Sequence, residues 1–437
     1  MQKGIKSIVY TVGILTALFH VIALIFYPMP PNVFRTMHLM AILVIIFLSR
    51  PISKKGDNSF FTKVGVIEIF LSLLSMAVCL YAALEMVNIY NKYGIFLSLL
   101  DVVAGILCIA VVIEGTRRTT GMALPIIAMV FLLYGFFGQY LPGTLGHKGY
   151  SIQRIVFSIF SYDGIFSTPL ETCATYVVMF ILFSSFLEKT GAGEYFLELA
   201  KAIAGKMRGG PAKVAVLASA LFGMISGSAV ANVAATGSIT IPMMKRIGYR
   251  SQFAAAVEAV ASTSGQIMPP IMAAGAFLMA ETLGVSYLVI AKAALIPAIL
   301  YILTVWISID CESAKEGLMG LSAEEVPDAK KLFKEGWIML APIVLLIFLL
   351  VVVKYSAIKS AFFAMIACIA IAIIDPRREF TIKDFFDGCA DSAYGTASIA
   401  GACACAGIVI GVMGLTGLGG KISAIVISLS QGKLWLA

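Results

Sequence analysis

Apolar runs long enough to cross a lipid bilayer recur along this whole chain. Residues 9–28, 122–140 and 357–374 are three of them, and a spanning α-helix needs about 17 to 25 mostly apolar residues. Hydrophobic residues make up 60% of the sequence and charged residues only 13%, whereas an ordinary soluble domain has about 25% charged residues. The period-two alternation of a transmembrane β-barrel is absent. The sequence therefore predicts an all-α polytopic membrane protein, with the lipid bilayer as a partner.

Short loops between the apolar runs hold most of the basic residues. The chain has 32 Lys and Arg residues and a net charge of +8. Positive charge placed in this way is the topology signal of a membrane protein, so no nucleic-acid partner is predicted. The candidate spans are 9–28, 33–48, 65–86, 94–113, 122–140, 168–187, 251–283, 285–309, 336–353, 357–374 and 388–412, with an amphipathic stretch at 193–207 and a last apolar piece at 416–437.

The segment 212–250 is expected to enter and leave the membrane on the same side. With the N-terminus inside and the spans alternating, the loop that holds Lys206 and Arg208 is inside. Lys245 and Arg246, which follow the segment, also stay inside only if the segment is a hairpin and not a single crossing. The charge pattern therefore predicts a re-entrant helical hairpin that dips into the membrane from the cytoplasm.

The stretch SGSAVANVAATGSIT supplies the tip of that hairpin. Ser226-Gly227-Ser228 can break a helix, because glycine tolerates unusual dihedral angles and serine hydroxyls cap freed backbone groups. Asn232 follows on the returning helix. Irregular backbone is tolerated at membrane depth where it lines a cavity, and neutral oxygen ligands there suit a dehydrated sodium ion. The carbonyls, hydroxyls and amide oxygen of this stretch, with Asn232, Thr236, Ser238 and Thr240 beyond the tip, therefore predict a site for Na⁺.

A second helix break is predicted in the next apolar run, within the sequence STSGQIMPP. Ser264, Gly265 and Gln266 come shortly before Pro269-Pro270, and proline removes a helix hydrogen bond and clashes with the preceding turn. An unwound stretch with free backbone carbonyls would result. Facing the hairpin tip, Ser264, Gly265 and Gln266 would complete the sodium site.

The candidate contacts for a substrate lie beside these breaks. Helix N-termini nearby would favour an anion, with Thr236, Pro269 and Pro270 as its binding residues. Glu258, one turn before the second break, either pairs with a cation or lies near the cytoplasmic surface, and the surface is favoured. Taken alone, the small residues of 226–240 are explained more simply by close helix packing, but the two adjacent breaks and the hairpin topology favour the ion site. For Pro269-Pro270 alone, a structural kink is the simpler interpretation.

A short internal repeat connects two distant parts of the chain. TGAG at 190–193 and TGLG at 416–419 are 226 positions apart (416 − 190 = 226). Each follows an apolar span, and the charge pattern places the first at the inner surface and the second at the outer surface. Similar sequence in opposite orientation indicates an inverted repeat, which is common in secondary transporters. The counterpart of Ser228 would fall beyond residue 437, so the second repeat is expected to be incomplete.

One long motif resembles the large membrane subunit of the TRAP transporters, the tripartite ATP-independent periplasmic transporters. The motif is SGSAVANVAATGSITIPMMKRIGYRSQFAAAVEAVASTSGQIMPP. It combines a Gly-Ser tip, a small-residue helix that ends in Ile-Pro-x-Met-Lys-Arg-x-Gly-Tyr, and Gly-x-x-x-Pro-Pro. The resemblance covers most of the chain, and the additional spans before residue 122 look like a fused small subunit, as in the 4TM/12TM members of that family.

The resemblance implies an elevator-type, sodium-coupled importer of small organic acids. Such a protein lies in the bacterial inner membrane and receives its substrate from a periplasmic substrate-binding protein. By motif, Ser226, Gly227, Ser228, Asn232 and residues 264–266 would form the first ion site. The family's second hairpin has no counterpart before Ala437.

Three parts follow from these patterns. Residues 1–118 are expected to form a four-helix scaffold that resembles the small subunit. Residues 119–385 are expected to form the first transport repeat with its connecting helices. Residues 386–437 would begin the second inverted repeat.

Two other functions compete with transport. A membrane enzyme would need a cluster of carboxylates or a His/Asp set, and a solvated loop explains the acidic residues of 310–328 more simply. No catalytic residue and no metal other than Na⁺ are therefore expected. A structural membrane subunit without its own ion site is the main alternative.

Overall fold

The computed structural model describes residues 2–51, 65–92, 97–375 and 380–430. Within these ranges the chain is helical, apart from turns and loops, and contains no β-strand. Nine helices of this described part are long and apolar enough to cross a membrane. The predicted all-α polytopic membrane fold is confirmed. The final residues, on which the expectation of an incomplete repeat depends, lie outside the described ranges.

The helices fall into two compact units. The first unit comprises Met1–Val178 and Cys389–Ala437, and the second comprises Met179–Gly388. The first unit begins with α1 (Gln2–Val21), α2 (Pro31–Ser49), α3 (Val66–Asn91), α4 (Leu99–Thr120), α5 (Ala123–Phe137), α6 (Ile152–Ile159) and α7 (Thr168–Thr172). The predicted boundaries at 118 and 385 stay a prediction.

The second unit contains the segments that carry the candidate site. Its helices are α8 (Val178–Lys189), α9 (Ala192–Ala204), α10 (Gly210–Ser226), α11 (Ala229–Arg246), α12 (Ser251–Thr263), α13 (Ala274–Leu283), α14 (Tyr287–Glu316), α15 (Ala329–Gly336), α16 (Ala341–Val351) and α17 (Ala357–Ile374). The long helix α18 (Ile382–Thr416) begins in this unit and continues into the first, which ends with α19 (Leu418–Leu429).

Buried acidic side chains link helices of the first unit. The Asp101 carboxyl group accepts a hydrogen bond from the Tyr81 hydroxyl at 2.6 Å and lies 2.8 Å from the Lys92 ammonium group. Glu68 of α3 faces Arg118 of α4 at 3.5 Å. Because a buried carboxyl group is costly unless it is paired, these contacts explain how acidic residues are accommodated in apolar helices. Asp101 and Glu68 thus connect α3 to α4.

An apolar cluster holds α10, α11, α12 and α14 together in the second unit. Val216, Met244, Val257 and Ile309, one from each helix, are all buried in it. A side chain of this kind stabilises the fold by about 1.5 to 3 kcal/mol when it is fully buried. The cluster fixes the two arms of the candidate hairpin against the helix that follows.

The two TGxG segments adopt the same local conformation. α8 ends beside Thr190, Gly191 has a left-handed backbone with φ 79°, and α9 begins at the next residue. α18 ends at Thr416, Gly417 has φ 65°, and α19 begins at once. Left-handed glycine is a common helix terminator. The matching conformation supports the local similarity of the two segments, whereas their opposite orientation stays a prediction.

Two short helices, α6 and α15, lie largely between the candidate spans of the sequence. Each begins at a capping side chain, Ser151 for α6 and Asp328 for α15. Hydropathy does not identify such helices because half of their surface is polar, although their apolar residues recur at helical spacing.

Candidate functional site

The hairpin tip forms where the sequence predicts it. α10 ends at Ser226, Gly227 adopts a left-handed conformation with φ 60°, and Ser228 caps α11 by accepting a hydrogen bond from the Ala231 backbone N–H at 3.3 Å. The two arms have 17 and 18 residues, and neither is among the nine long apolar helices. The left-handed turn at Gly227 joins the two arms into a helical hairpin, and its entry from the cytoplasm stays a prediction.

The second helix break is also present. α12 ends at Thr263, one 3₁₀ turn covers Ser264–Gln266, and regular helix resumes only at Ala274. The Ala273 backbone N–H donates to the Gln266 carbonyl at 2.9 Å and so closes the unwound segment into a compact loop. The predicted interruption around the two prolines is therefore confirmed.

The backbone carbonyls of this loop were expected to be free, but two of them accept hydrogen bonds from a side chain. The Tyr287 hydroxyl, from the start of α14, donates to the Pro270 carbonyl at 2.8 Å and also contacts the Ile271 carbonyl. The Tyr287 ring stacks on Phe277 of α13 with 4.3 Å between ring centres. An aromatic side chain from a neighbouring helix thus satisfies part of the unwound backbone, as buried carbonyl groups require.

The two breaks touch each other. A methyl group added at Gly223, one turn before the hairpin tip, would overlap the Cα atom of Gly265. A methyl group at Gly227 would overlap the carbonyl oxygen of Met272 and lie 3.5 Å from the Cα atom of Ala273. Glycine at these positions permits backbone to approach backbone. The helices α11 and α13 consequently begin next to each other.

Asn232 joins three helices at this contact. Its side chain is fully buried, and its amide nitrogen donates to the Ser219 carbonyl of α10 at 2.7 Å and to the Ser262 carbonyl of α12 at 3.4 Å. Its amide oxygen is 3.5 Å from the Thr236 hydroxyl. The nitrogen therefore fixes the helices, while the oxygen retains capacity to accept a further bond or to contact a cation.

Glu258 is buried, which corrects its expected place near the cytoplasmic surface. Its carboxyl oxygens lie 2.5 Å from the Thr236 hydroxyl and 2.5 Å from the Thr240 hydroxyl, both on α11. The Ser262 hydroxyl of α12 is 3.1 Å away and the Ser219 hydroxyl of α10 is 3.4 Å away. We call these five residues the carboxyl–hydroxyl cluster. Four hydroxyl groups from three helices stabilise a carboxyl group that is completely excluded from solvent.

A pattern in the sequence does mark this cluster. Thr236 and Thr240 are four residues apart, and so are Glu258 and Ser262, so each pair lies on one face of its helix. Gly237, beside the first pair, leaves room for Glu258, because a methyl group there would be 3.0 Å from the Glu258 Cγ atom. Two such faces that contact each other would bring one acidic and three hydroxyl side chains together.

The remaining candidate residues differ in exposure. Ser264, Gly265 and Pro270 are buried, Ser226, Gly227, Ser228 and Pro269 are half-buried, and Gln266 is exposed. Thr236 is buried and belongs to the carboxyl–hydroxyl cluster. The structure thus brings the two groups of candidate ion ligands together, and the assignment of sodium and substrate contacts to them stays a prediction.

Comparison with known proteins gives one family. The family model described as "Tripartite ATP-independent periplasmic transporter, DctM component" matches residues 106–437. This range includes both helix breaks and the carboxyl–hydroxyl cluster.

Individual relatives match shorter stretches. A protein of Pseudomonas aeruginosa named "C4-dicarboxylate TRAP transporter large permease protein DctM" is 35% identical over 152 residues, 34% of this chain and 35% of that protein. The protein of the same name in Vibrio cholerae is 31% identical over 153 residues, 33% of each chain. The "Isethionate TRAP transporter permease protein DctMQ" of Oleidesulfovibrio alaskensis is 31% identical over 148 residues, 32% of this chain and 23% of that protein. The matched segments span about a third or less of the length of these curated relatives.

Proposed function

Because the chain belongs to the family of large permease components (DctM) of the tripartite ATP-independent periplasmic transporters, we propose that it is the membrane permease of a secondary transporter for small organic acids. It is a multi-pass membrane protein, and we place it in the bacterial inner membrane. A periplasmic substrate-binding protein would deliver the substrate. The names of two relatives refer to C4-dicarboxylate and isethionate, both small organic acids, which supports this class of substrate.

The contact between the two helix breaks is the observation that carries the proposal. At this contact Ser228, Asn232 and Gly265 place hydroxyl, amide and carbonyl oxygens on neighbouring segments. Oxygens of this kind, on interrupted helices, suit a dehydrated alkali cation. Together with Ser226, Gly227, Ser264 and Gln266, they form the proposed site for a co-transported sodium ion.

The adjacent helix N-termini support an anionic substrate. α11 and α13 begin beside each other, at the contact of Gly227 with Met272 and Ala273. The first backbone N–H groups of a helix have no intrahelical acceptor, and the helix dipole adds positive potential there. A carboxylate bound near Pro269 and Pro270 would accept from these groups, and Thr236 remains the third proposed contact. In this proposal the hairpin and α12 move together in an elevator-type cycle.

Sodium binding to the full chain tests the proposal. We expect the thermal unfolding midpoint of the detergent-purified protein to be higher in NaCl than in KCl of equal ionic strength. Sodium at about 100 times its dissociation constant would add about 2.7 kcal/mol to the stability of the folded state. The combined substitution Ser228→Ala and Asn232→Ala removes two proposed ligands, so it should abolish the sodium-specific increase. It should also abolish sodium-dependent uptake into proteoliposomes supplied with the binding protein.

Asn88→Ala provides the control. Asn88 is exposed on α3, and its amide bonds only to the neighbouring Glu85 among the described contacts. This variant should keep the full sodium effect. An unchanged sodium effect in the double variant would exclude the proposed ligands. Equal midpoints of the unaltered protein in NaCl and KCl would favour a structural membrane subunit without its own ion site.

A further inference from the structure

A short amphipathic helix precedes an apolar membrane segment in the second unit. α15 has the sequence AKKLFKEG and is followed by the 3₁₀ turn Trp337–Met339 and then by α16, whose eleven residues APIVLLIFLLV contain no charge. Phe333 is 56% exposed and Trp337 is 55% exposed. Exposed aromatic rings on a basic amphipathic helix are typical of a helix that lies at the membrane surface.

An open groove runs along one face of this helix. Its volume is about 720 Å³, and it is lined by Leu199 of α9 together with Ala329, Lys330, Phe333, Lys334 and Trp337. Ala329, Phe333 and Trp337 are spaced four residues apart and form a continuous apolar stripe. Lys330 and Lys334 are also four residues apart and place two ammonium groups along the same groove.

The end of α15 packs against α9, which also supplies Leu199 to the groove. Gly336 packs against the Tyr195 ring so closely that a methyl group added at Gly336 would overlap the ring. The Tyr195 hydroxyl is buried and has no hydrogen-bond partner among the described residues. Tyr195 is one turn before Leu199 on α9, so an unsatisfied polar group lies one helical turn from a residue that lines the groove.

The two lysines of the groove are available to an external anion. Neither Lys330 nor Lys334 takes part in a salt bridge with a described side chain, although many other basic residues of this unit do. The positive-inside pattern predicts that both lie on the cytoplasmic side. The cytoplasmic leaflet carries anionic lipids, and each nearby lysine increases their binding.

We propose that this groove binds an anionic phospholipid of the cytoplasmic leaflet. The phosphate group contacts Lys330 and Lys334, and the upper part of an acyl chain lies on Leu199, Phe333 and Trp337. Two ammonium groups beside an apolar stripe match the two chemical parts of a phospholipid, whereas a solvated charged face would not need the apolar stripe. The site is independent of the proposed sodium site.

Trp337 makes the groove directly observable. The chain has two other tryptophans, Trp306 and Trp435, so the full chain with Trp306→Phe and Trp435→Phe reports on Trp337 alone. This protein is reconstituted into phosphatidylcholine vesicles with increasing fractions of brominated phosphatidylglycerol or, separately, brominated phosphatidylcholine. We expect half-maximal quenching of Trp337 at an about tenfold lower fraction of the anionic lipid.

Substitutions in the same background separate a site from general attraction. Lys330→Gln with Lys334→Gln should remove the preference for phosphatidylglycerol, whereas Lys331→Gln should keep it, because Lys331 does not line the groove. All three positions are exposed, so the variants should fold normally, which size-exclusion chromatography and thermal unfolding check.

Three results would overturn the proposal. Equal quenching by the two lipids would show that the groove does not select an anionic headgroup. An equal loss of preference in the Lys331→Gln variant would show that diffuse charge attracts the lipid. Equal quenching by the two lipids, together with a change in Trp337 emission on addition of millimolar inorganic phosphate, would show a site for free phosphate instead of a lipid.

Discussion

Gly223→Ala is expected to lower the free energy of unfolding by about 2 kcal/mol and to separate the two helix breaks. The added methyl group would overlap the Gly265 Cα atom and approach the Gly265 nitrogen to 3.0 Å. Both are backbone atoms, so no side-chain rotation relieves the overlap, and α10 has to move away from the 3₁₀ turn. The Asn232 amide, 3.2 Å from the same methyl position, would be displaced as well. Thermal unfolding of the purified protein measures this loss of stability. Unfolding is monitored by the reaction of a thiol-reactive dye with buried cysteines such as Cys368.

Gly275→Ala is the matched control for this substitution. Gly275 is in the first turn of α13, and a methyl group added there meets nothing within 4 Å. Because alanine favours a helix over glycine by about 1 kcal/mol, this variant should be equally stable or slightly more stable. If both variants unfolded at the same temperature, the backbones of Gly223 and Gly265 would not be in close contact. The Gly223→Ala variant should also have lost most of its sodium-specific stabilisation.

Glu258→Ala is expected to lower the free energy of unfolding by about 3 kcal/mol. The substitution leaves a cavity between three helices and removes the acceptor of the Thr236, Thr240 and Ser262 hydroxyls. Glu258→Gln keeps the volume. Its amide nitrogen can donate to a threonine hydroxyl that turns its own proton to the backbone, since the Thr240 hydroxyl is already 3.0 Å from the Thr236 carbonyl. We therefore expect a loss of only about 1 kcal/mol for this variant.

Glu281→Ala is the control for the second prediction. Glu281 is exposed near the end of α13, so its removal should change the free energy of unfolding by less than about 0.5 kcal/mol. The same thermal measurement compares the three variants. A value for Glu258→Ala close to that for Glu281→Ala would mean that the Glu258 carboxyl group faces water, as the sequence interpretation had favoured.

The sequence predicts those features that depend on neighbouring residues. The Ser226-Gly227-Ser228 tip is visible because a left-handed glycine between two serines is a local signal for the end of one helix and the start of another. The break before Pro269-Pro270 is visible because proline cannot occupy a regular helix interior without cost. Both breaks occur within a few residues of the expected position.

The position of Glu258 depends on residues far away in the sequence. Its hydroxyl partners Ser219, Thr236 and Thr240 are 39, 22 and 18 positions away. Hydropathy and charge counting describe a carboxyl group only as costly in a membrane, and they favour the surface. Placing it in the interior requires knowing which faces of α10, α11 and α12 meet, and the apolar cluster of the second unit decides that. The same limit explains why the Tyr287 contact with the unwound carbonyls was missed.

The contacts of Tyr287 with the unwound loop have a consequence for the affinity of a ligand that binds there. The Tyr287 hydroxyl holds the unwound loop through two carbonyl groups, and the Tyr287 ring stacks on Phe277. The ring centres of Phe277 and Phe180 are 4.8 Å apart. Ordering a free backbone costs about 1 to 2 kcal/mol for each residue. Since the loop is ordered when the protein folds, an ion or acid bound there as proposed would not have to supply this free energy. Melting of the loop to release such a ligand would first have to detach Tyr287 from the two carbonyl groups.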